Sequence, residues 1–279
     1  MFKIKKEILK RNTKDLKESF TPFDIENGVL KRYDKDCKEE RVIIPDGVKE
    51  IGSGAFKGCS FVKSIEIPKS VTTISGQAFS LCYHLQSITF PHVVQRIGEG
   101  MFFGCSSLES FVIPEGFTVI PDAMFSHCGN LKSVYIPDSV EVICMQAFAG
   151  CENLKHVYLP ENLKRIGFEA FAGCESLAHI EIPRDVEHIS DEAFVACKGL
   201  KTAIVPFIGR DMFADCTGLT DVWVTNESYY SEDDYKKGAA FTNCKNLQNI
   251  WVVRDSGEKA SSHVVKYWDI GEYREKENE

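Results

Sequence analysis

The chain lacks any apolar run that approaches the ~20 residues required by a membrane-spanning helix. Its N-terminal stretch, MFKIKKEILKRNTKDLKESF, is charged throughout and contains neither the apolar core nor the small-residue cleavage site of a signal peptide. We therefore expect no membrane insertion. The localisation is unknown: the sequence as written predicts a cytoplasmic protein, or a cell-surface or secreted one if an export segment is missing.

An excess of positive charge is also lacking. Among 279 residues there are 33 Lys and Arg against 41 Asp and Glu, which gives a formal net charge of −8. A general nucleic-acid-binding surface needs clustered Lys and Arg that replace the counterions around phosphates. We expect no nucleic-acid partner.

The motifs of common catalytic sites are missing as well. The sequence contains no G-x-S-x-G, no H-E-x-x-H, no Gly-rich phosphate loop and no paired catalytic carboxylates. It also has no C-x₂-C pair of the kind that holds structural zinc. These absences predict a chain that is not an enzyme, with no catalytic residue and no cofactor.

A repeat with a period of 23 residues occupies most of the chain. One column of the repeat is phenylalanine, and two further members follow after steps of 19 and 28: Phe56, Phe79, Phe102, Phe125, Phe148, Phe171, Phe194, Phe213 and Phe241. Three residues after each of them lies a cysteine: Cys59, Cys82, Cys105, Cys128, Cys151, Cys174, Cys197, Cys216 and Cys244. Eight of the ten prolines form a third column, from Pro45 to Pro206. Such regularity is the signature of a stacked repeat architecture.

The repeated unit AFxxCxxLxxIxIPxxVxxIG resembles the BspA-like (Treponema-type) leucine-rich repeat family. IPDSVEVICMQAFAGCENLKHVYLP, at Ile136–Pro160, follows the family pattern throughout. The resemblance implies an α/β repeat fold: a right-handed solenoid with a concave parallel β-sheet of short strands and with turns or short helices on the convex side. It implies no catalytic activity, and many such proteins look like adhesion or interaction proteins at microbial surfaces. We assign 1–41 to a lead-in and cap, 42–253 to about nine to ten repeats, and 254–279 to a C-terminal cap and charged tail.

One repeat shows how the residues produce this fold. In LKSVYIP, at Leu131–Pro137, β-branched residues and alternation favour a short strand that Pro137 ends. Val140 and Ile143 are predicted to point inward from a turn or a second short strand, and Phe148 from a tight turn. No single repeat buries this apolar edge, but stacked repeats bury it continuously.

The cysteines invite three chemical interpretations, most sharply in AFAGCESLAHIEIP, where Cys174 precedes His179 and Glu181. Identical positions in stacked repeats point in parallel, which suits neither a disulfide nor a metal site. A nucleophile repeated nine times is implausible. We interpret the column as small buried hydrophobes, each with a weak bond to a backbone carbonyl. Outside it, Cys144 is expected to be partly exposed, and Cys37 is the best candidate for a reactive thiol.

Outward strand positions vary between repeats and carry the candidate binding face. In the first half these positions are small and bland, whereas the second half carries Tyr135, His156, Tyr158, His179, Glu181, Trp223 and Trp251. Tyr and Trp are enriched at interface hot spots, which predicts a contact surface for a protein or a glycan. The alternative is that the aromatic residues merely pair with their cross-strand neighbours. A metal site formed by His156, His179 and Glu181 is a further alternative.

The repeat is irregular near its end. Between Cys216 and Cys244 five residues are gained and the proline is lost, and the added part is acidic. It carries a candidate variable loop with Tyr229, Tyr230 and Tyr235. Drift in a terminal repeat is the alternative explanation.

Together these patterns predict a monomeric, non-enzymatic interaction module that binds an unidentified protein or glycan through the concave face. A structural spacer within a larger assembly is the runner-up interpretation.

Overall fold

The computed structural model describes residues 21–91, 93–226, 240–254 and 263–269. In these ranges the chain forms nineteen short strands, numbered in chain order, and no helix. Nearly every repeat contributes a longer strand, here called a major strand: β3 (Arg41–Ile43), β5 (Ser64–Glu66), β7 (Ser87–Thr89), β9 (Ser110–Val112), β11 (Ser133–Tyr135), β14 (His179–Glu181), β16 (Thr202–Val205), β17 (Asp221–Val224) and β18 (Asn249–Arg254). Most also contribute a two-residue minor strand: β4 (Glu50–Ile51), β6 (Thr73–Ile74), β8 (Arg96–Ile97), β10 (Val119–Ile120), β12 (Val142–Ile143), β13 (Arg165–Ile166) and β15 (His188–Ile189).

Strands of the same class pair in parallel from one repeat to the next. In the major sheet Val42 of β3 pairs with Ile65 of β5, and in the minor sheet Ile143 of β12 pairs with Ile166 of β13. Both pairs are separated by one 23-residue period, so the predicted stacking of repeats and the predicted parallel sheet are confirmed.

The side opposite the major strands consists of turns, and the short helices allowed by the sequence analysis are not found in the described residues. The cause is left-handed backbone at two positions of each turn segment, as at Gln146 (φ 54°) and Gly150 (φ 70°). A right-handed helix cannot pass through such residues. Instead, the amides of Gln146 and Gly150 donate to the carbonyls of Phe168 and Ala172 in the next repeat, at 2.9 and 2.7 Å.

A single stack of aromatic rings runs through the core. Tyr33 begins the stack 23 residues before Phe56, and the rings of neighbouring repeats lie 5.0–5.8 Å apart between centroids, from Tyr33 through the phenylalanine column to Phe241. From Phe56 to Phe213 every ring of the column is fully buried. The inward prediction for Phe148 is therefore confirmed, and Tyr33 extends the column into the segment that the sequence analysis had treated as a lead-in.

The cysteine column lies beside this stack. All nine thiols are buried, and eight of them donate to the carbonyl of the phenylalanine of the preceding repeat, with sulfur–oxygen distances of 3.0–3.4 Å. Burial raises the pKa of Cys59, Cys128 and Cys244 to about 12, so these thiols are protonated at neutral pH. All eleven cysteines are free. The nine in the column are the small buried hydrophobes that the sequence predicts, and eight of them make the weak carbonyl bond.

Antiparallel strands flank the repeats at both ends. At the N-terminal end β1 (Phe23–Glu26) and β2 (Val29–Tyr33) form a hairpin, and β2 pairs in parallel with β4 of the first repeat. At the other end β19 (His263–Asp269) pairs antiparallel with β18. Such strands cover sheet edges that would otherwise expose unpaired backbone groups. The cap predicted within residues 1–20 lies outside the described residues.

Between the repeat of β7 and β8 and the repeat of β9 and β10, the major sheet and the minor sheet are both interrupted. We call this boundary the seam. Three phenylalanines stand there where neighbouring repeats have smaller aliphatic residues: Phe90, Phe111 and Phe117. The rings of Phe90 and Phe111 meet edge-on with centroids 5.7 Å apart. We attribute the separation of the strands to the bulk of these rings.

Pro121 removes a further bond at the seam. One repeat later, the amide of Cys144 donates to the carbonyl of Ile120 at 2.9 Å, but a proline has no N–H to donate at the equivalent position. The turn side stays bonded across the seam, since the amide of Phe102 donates to the carbonyl of Met124 at 2.9 Å. The two halves of the solenoid are thus joined by the turns and the aromatic stack.

Hydrogen exchange provides a test of the seam. The amide of Val142 donates to the carbonyl of Thr118 at 3.1 Å, whereas the equivalent amide, that of Val119, has no such bond in the part of the chain described. We expect the Val119 amide to exchange at least about tenfold faster than the Val142 amide, because opening an unpaired strand edge costs little free energy. Equal protection of the two amides, measured residue by residue by NMR, would show that the seam is closed in solution.

Candidate interaction surface

Alternation along the major strands defines the candidate surface. In β11 the side chain of Val134 is buried while Ser133 and Tyr135 are exposed, and β3, β9 and β14 repeat this pattern. Successive side chains of a strand point to opposite sides. The first and third residues of each major strand therefore share one surface, here called the major face.

The structure places the seven candidate residues of this face in two groups. Tyr135, His156 and Tyr158 belong to the first, because an isolated parallel bridge joins Ser133 to His156. The second lies on the sheet from β14 to β18 and contains His179, Glu181, Trp223 and Trp251. Among the described residues the major sheet is interrupted between the groups, while the minor sheet continues through β12, β13 and β15.

The first group and the neighbouring strand β9 carry a run of exposed apolar side chains on the major face. Tyr158 is 83% exposed, Val112 65% and Tyr135 54%, and the three lie one period apart in successive repeats. We call Val112, Tyr135 and Tyr158 the tyrosine patch. The hydroxyl of Tyr135 donates to Glu115 at 3.4 Å, and the negative charge of that carboxylate raises the pKa of Tyr135. The phenol is therefore neutral at physiological pH.

The histidines do not form the metal site considered as an alternative. His179 Nδ1 lies 2.6 Å from Thr202 Oγ1, which uses one of its ring nitrogens. Within the described ranges no group of three or more His, Cys, Asp and Glu side chains is placed to hold a metal ion. The apparent Cys–His–Glu cluster also dissolves, because Cys174 is buried and bonds to Phe148 while His179 and Glu181 are exposed on the major face.

The two tryptophans are neighbours across β17 and β18, where Trp223 pairs with Trp251. Both residues are only partly exposed. Asp221 Oδ1 accepts hydrogen bonds from Asn249 Nδ2 at 2.7 Å and from Trp251 Nε1 at 3.4 Å, so Trp251 is partly engaged within the sheet. The tryptophans therefore fit the alternative that outward aromatic residues merely pair with their cross-strand neighbours. The tyrosine patch fits that alternative less well. The candidate loop with Tyr229, Tyr230 and Tyr235 lies outside the described residues.

A groove in the first half of the chain was not predicted from the sequence. It has a volume of about 780 Å³ and lies where β3, β5 and β7 end, against the prolines Pro45, Pro68 and Pro91. Phe90 and the exposed Val93 line its wall near the seam. The signal was present in the sequence, because a phenylalanine at position 90 departs from the Ile of the same column.

The chain is similar to known leucine-rich repeat proteins. The sequence profile of the BspA type leucine rich repeat region matches residues 31–155 and 141–258, with six copies. A leucine-rich repeat protein from Bacteroides ovatus is 24% identical, with a TM-score of 0.61 over 84% of this chain and 68% of that one. A leucine rich cell surface protein from Faecalibacterium prausnitzii is 23% identical, with a TM-score of 0.40 over 84% of this chain and 93% of that one.

No curated protein matches the sequence significantly. The Bacteroides ovatus structure shares the repeat fold with this chain. Within the described ranges, no helix has the length and apolar character needed to cross a membrane.

Proposed function

Because the chain belongs to the BspA-type leucine-rich repeat family, we propose that it is a non-enzymatic module that binds a protein partner through the major face, centred on the tyrosine patch. Leucine-rich repeats of this family generally serve protein interaction. The observation that carries the proposal is the exposure of Val112, Tyr135 and Tyr158 in three successive repeats. Their contiguity distinguishes them from the single exposed apolar residues that any protein surface carries.

The surroundings of the patch have the composition of a protein interface. Lys132 Nζ pairs with Glu109 Oε2 at 2.8 Å with both side chains exposed, and Glu115 lies against Tyr135 on another side. An apolar, aromatic centre surrounded by polar and charged residues is the usual anatomy of a binding hot spot. The rigid repeat scaffold holds these side chains in place before binding, which lowers the entropic cost of association.

The cysteines support a role without covalent chemistry. Nucleophilic catalysis requires an accessible thiolate, whereas the column thiols are buried, and burial raises the pKa of Cys174 and Cys151 well above the ordinary value. The repeated thiols therefore pack in the core, and the partner is bound by surface residues.

Affinity capture with matched variants tests the proposal. We expect a partner captured by the wild-type chain to bind at least about 100-fold more weakly to Tyr135→Ala/Tyr158→Ala, since hot-spot aromatic residues each contribute roughly 2 kcal/mol or more. The control is Tyr83→Ala, which removes a tyrosine of similar exposure, 48%, outside the major strands. It should bind like the wild type.

The other outcomes discriminate between the remaining functions. Full affinity of the double variant would place the binding site elsewhere. Capture that a glycosidase treatment of the partner abolishes would identify a glycan as the ligand. If the wild-type chain captures nothing above the background of an unrelated repeat protein, the spacer interpretation replaces this proposal.

A further inference from the structure

A second concave site lies on the turn side, away from the major face. It is a cavity of about 420 Å³ between the turn segments of successive repeats. Apolar side chains supply part of its wall, namely Leu81, Phe103 and Met145. The proposed function gives no role to this cavity.

One turn residue that lines the cavity has no side chain. Gly100 lines it and has a left-handed backbone with φ 57°, at the position that Gln77 and Gln146 occupy in other repeats with φ 56° and 54°. A Cβ atom added to Gly100 would lie 3.3 Å from Cγ of Gln77, which is tight but not a backbone clash. A longer side chain at position 100 would therefore fill the space without a change in backbone conformation.

The polar groups of the cavity favour a cation. Glu99 and Asp122 bring two carboxylates to the wall, and Lys57 brings one ammonium. The Lys57 ammonium is engaged, because Nζ donates to Oε1 of Gln77 at 2.8 Å. One oxygen of Asp122 accepts from the amide of Met145 at 2.9 Å, while the Glu99 carboxylate has no hydrogen bond or ion pair with any residue that the structure describes.

Ser80 provides an independent sign of a missing ligand. This residue lines the cavity, is 1% exposed, and its hydroxyl has no hydrogen-bond partner. A buried hydroxyl without a partner costs free energy. A ligand donor would supply the missing bond, since the hydroxyl oxygen can accept one.

We propose that this cavity binds an organic ammonium group on an apolar stem, with Glu99 and Asp122 neutralising the charge, Ser80 accepting one N–H and Leu81, Phe103 and Met145 packing against the stem. Two sources share this chemistry, a free alkylamine and the lysine side chain of a peptide. The site is independent of the tyrosine patch, so neither proposal depends on the other.

Ligand-observed NMR with the full-length chain tests the site. The probes are hexylammonium, the neutral hexanol of similar size, and the peptide acetyl-Gly-Lys-Gly-amide. We expect saturable binding of hexylammonium and none of hexanol. Glu99→Gln should weaken hexylammonium binding about tenfold, because the negative charge that strengthens the hydrogen bond to the ammonium is lost while a neutral acceptor remains. Gly100→Gln should abolish binding by filling the cavity.

The matched control is Asp191→Asn, which removes a carboxylate at the repeat position of Asp122 in a later repeat outside the cavity. It should bind hexylammonium like the wild type. Competition by the peptide would assign the lysine side chain as the source, and its failure to compete would assign a free amine. The proposal is overturned if hexylammonium does not bind, if hexanol binds equally, or if a folded Gly100→Gln, verified by its circular dichroism, retains binding.

Discussion

Replacing Phe148 by alanine is expected to lower the free energy of unfolding by about 3–5 kcal/mol, the usual cost of truncating a fully buried phenylalanine. The Phe148 ring is 0% exposed and lies between the rings of Phe125 and Phe171, at centroid distances of 5.3 and 5.1 Å and with interplanar angles of 10° and 8°. Its removal leaves a cavity and breaks the stack in the middle. Typical domains have only about 5–15 kcal/mol of total stability.

Urea unfolding followed by circular dichroism measures this effect. The matched control is Phe168→Ala, which removes the same atoms from a ring that is 37% exposed in the next turn segment. Phe168→Ala should lower the free energy of unfolding much less than Phe148→Ala does, since surface substitutions usually change stability by about 0.5 kcal/mol or less. Equal destabilisation by the two variants would contradict the dominant role of the aromatic stack. Because each repeat contacts only its neighbours, a broadened transition in Phe148→Ala would indicate that the halves unfold separately.

Replacing Cys174 by aspartate is expected to be at least as damaging. The side chain is fully buried, and its thiol donates to the carbonyl of Phe148 at 3.4 Å. An aspartate there would place a carboxylate without a counter-charge against a carbonyl oxygen. An uncompensated buried charge costs about 3–5 kcal/mol, or the group binds a proton at a comparable cost.

Cys144→Asp is the control for this substitution. The Cys144 side chain is only partly buried, which agrees with its predicted exposure, so its aspartate remains hydrated. We expect its unfolding midpoint in urea to stay close to that of the wild type and that of Cys174→Asp to fall sharply. Burial raises the pKa of the new aspartate above its value in the unfolded chain. The destabilisation of Cys174→Asp should therefore shrink as the pH falls through this raised pKa, because a neutral carboxyl is easier to bury. A wild-type midpoint for Cys174→Asp would exclude the buried position of the column.

Much of the repeat is predictable because identical spacing forces identical environments. The phenylalanine and cysteine columns recur every 23 residues, so a residue type that is buried in one repeat must be buried in its neighbours. Tyr33 was overlooked although it lies one period before Phe56, because a different aromatic residue in a polar segment hides the column. The absence of helices from the described residues was also not predicted, because the residue types of Gln146 and Glu169 do not indicate the left-handed backbone that they adopt.

Periodicity and composition alone thus determine the parallel stacking, the buried columns and the alternation of β11, since these follow from spacing and from the need to bury apolar side chains. Only the tertiary structure decides which outward residues meet. Tyr135 and Glu181 occupy the same column two repeats apart, but an interruption of the major sheet separates them. The seam and the cavity at Gly100 likewise depend on how side-chain volumes of adjacent repeats fit together, and that fit exists only after the repeats have stacked.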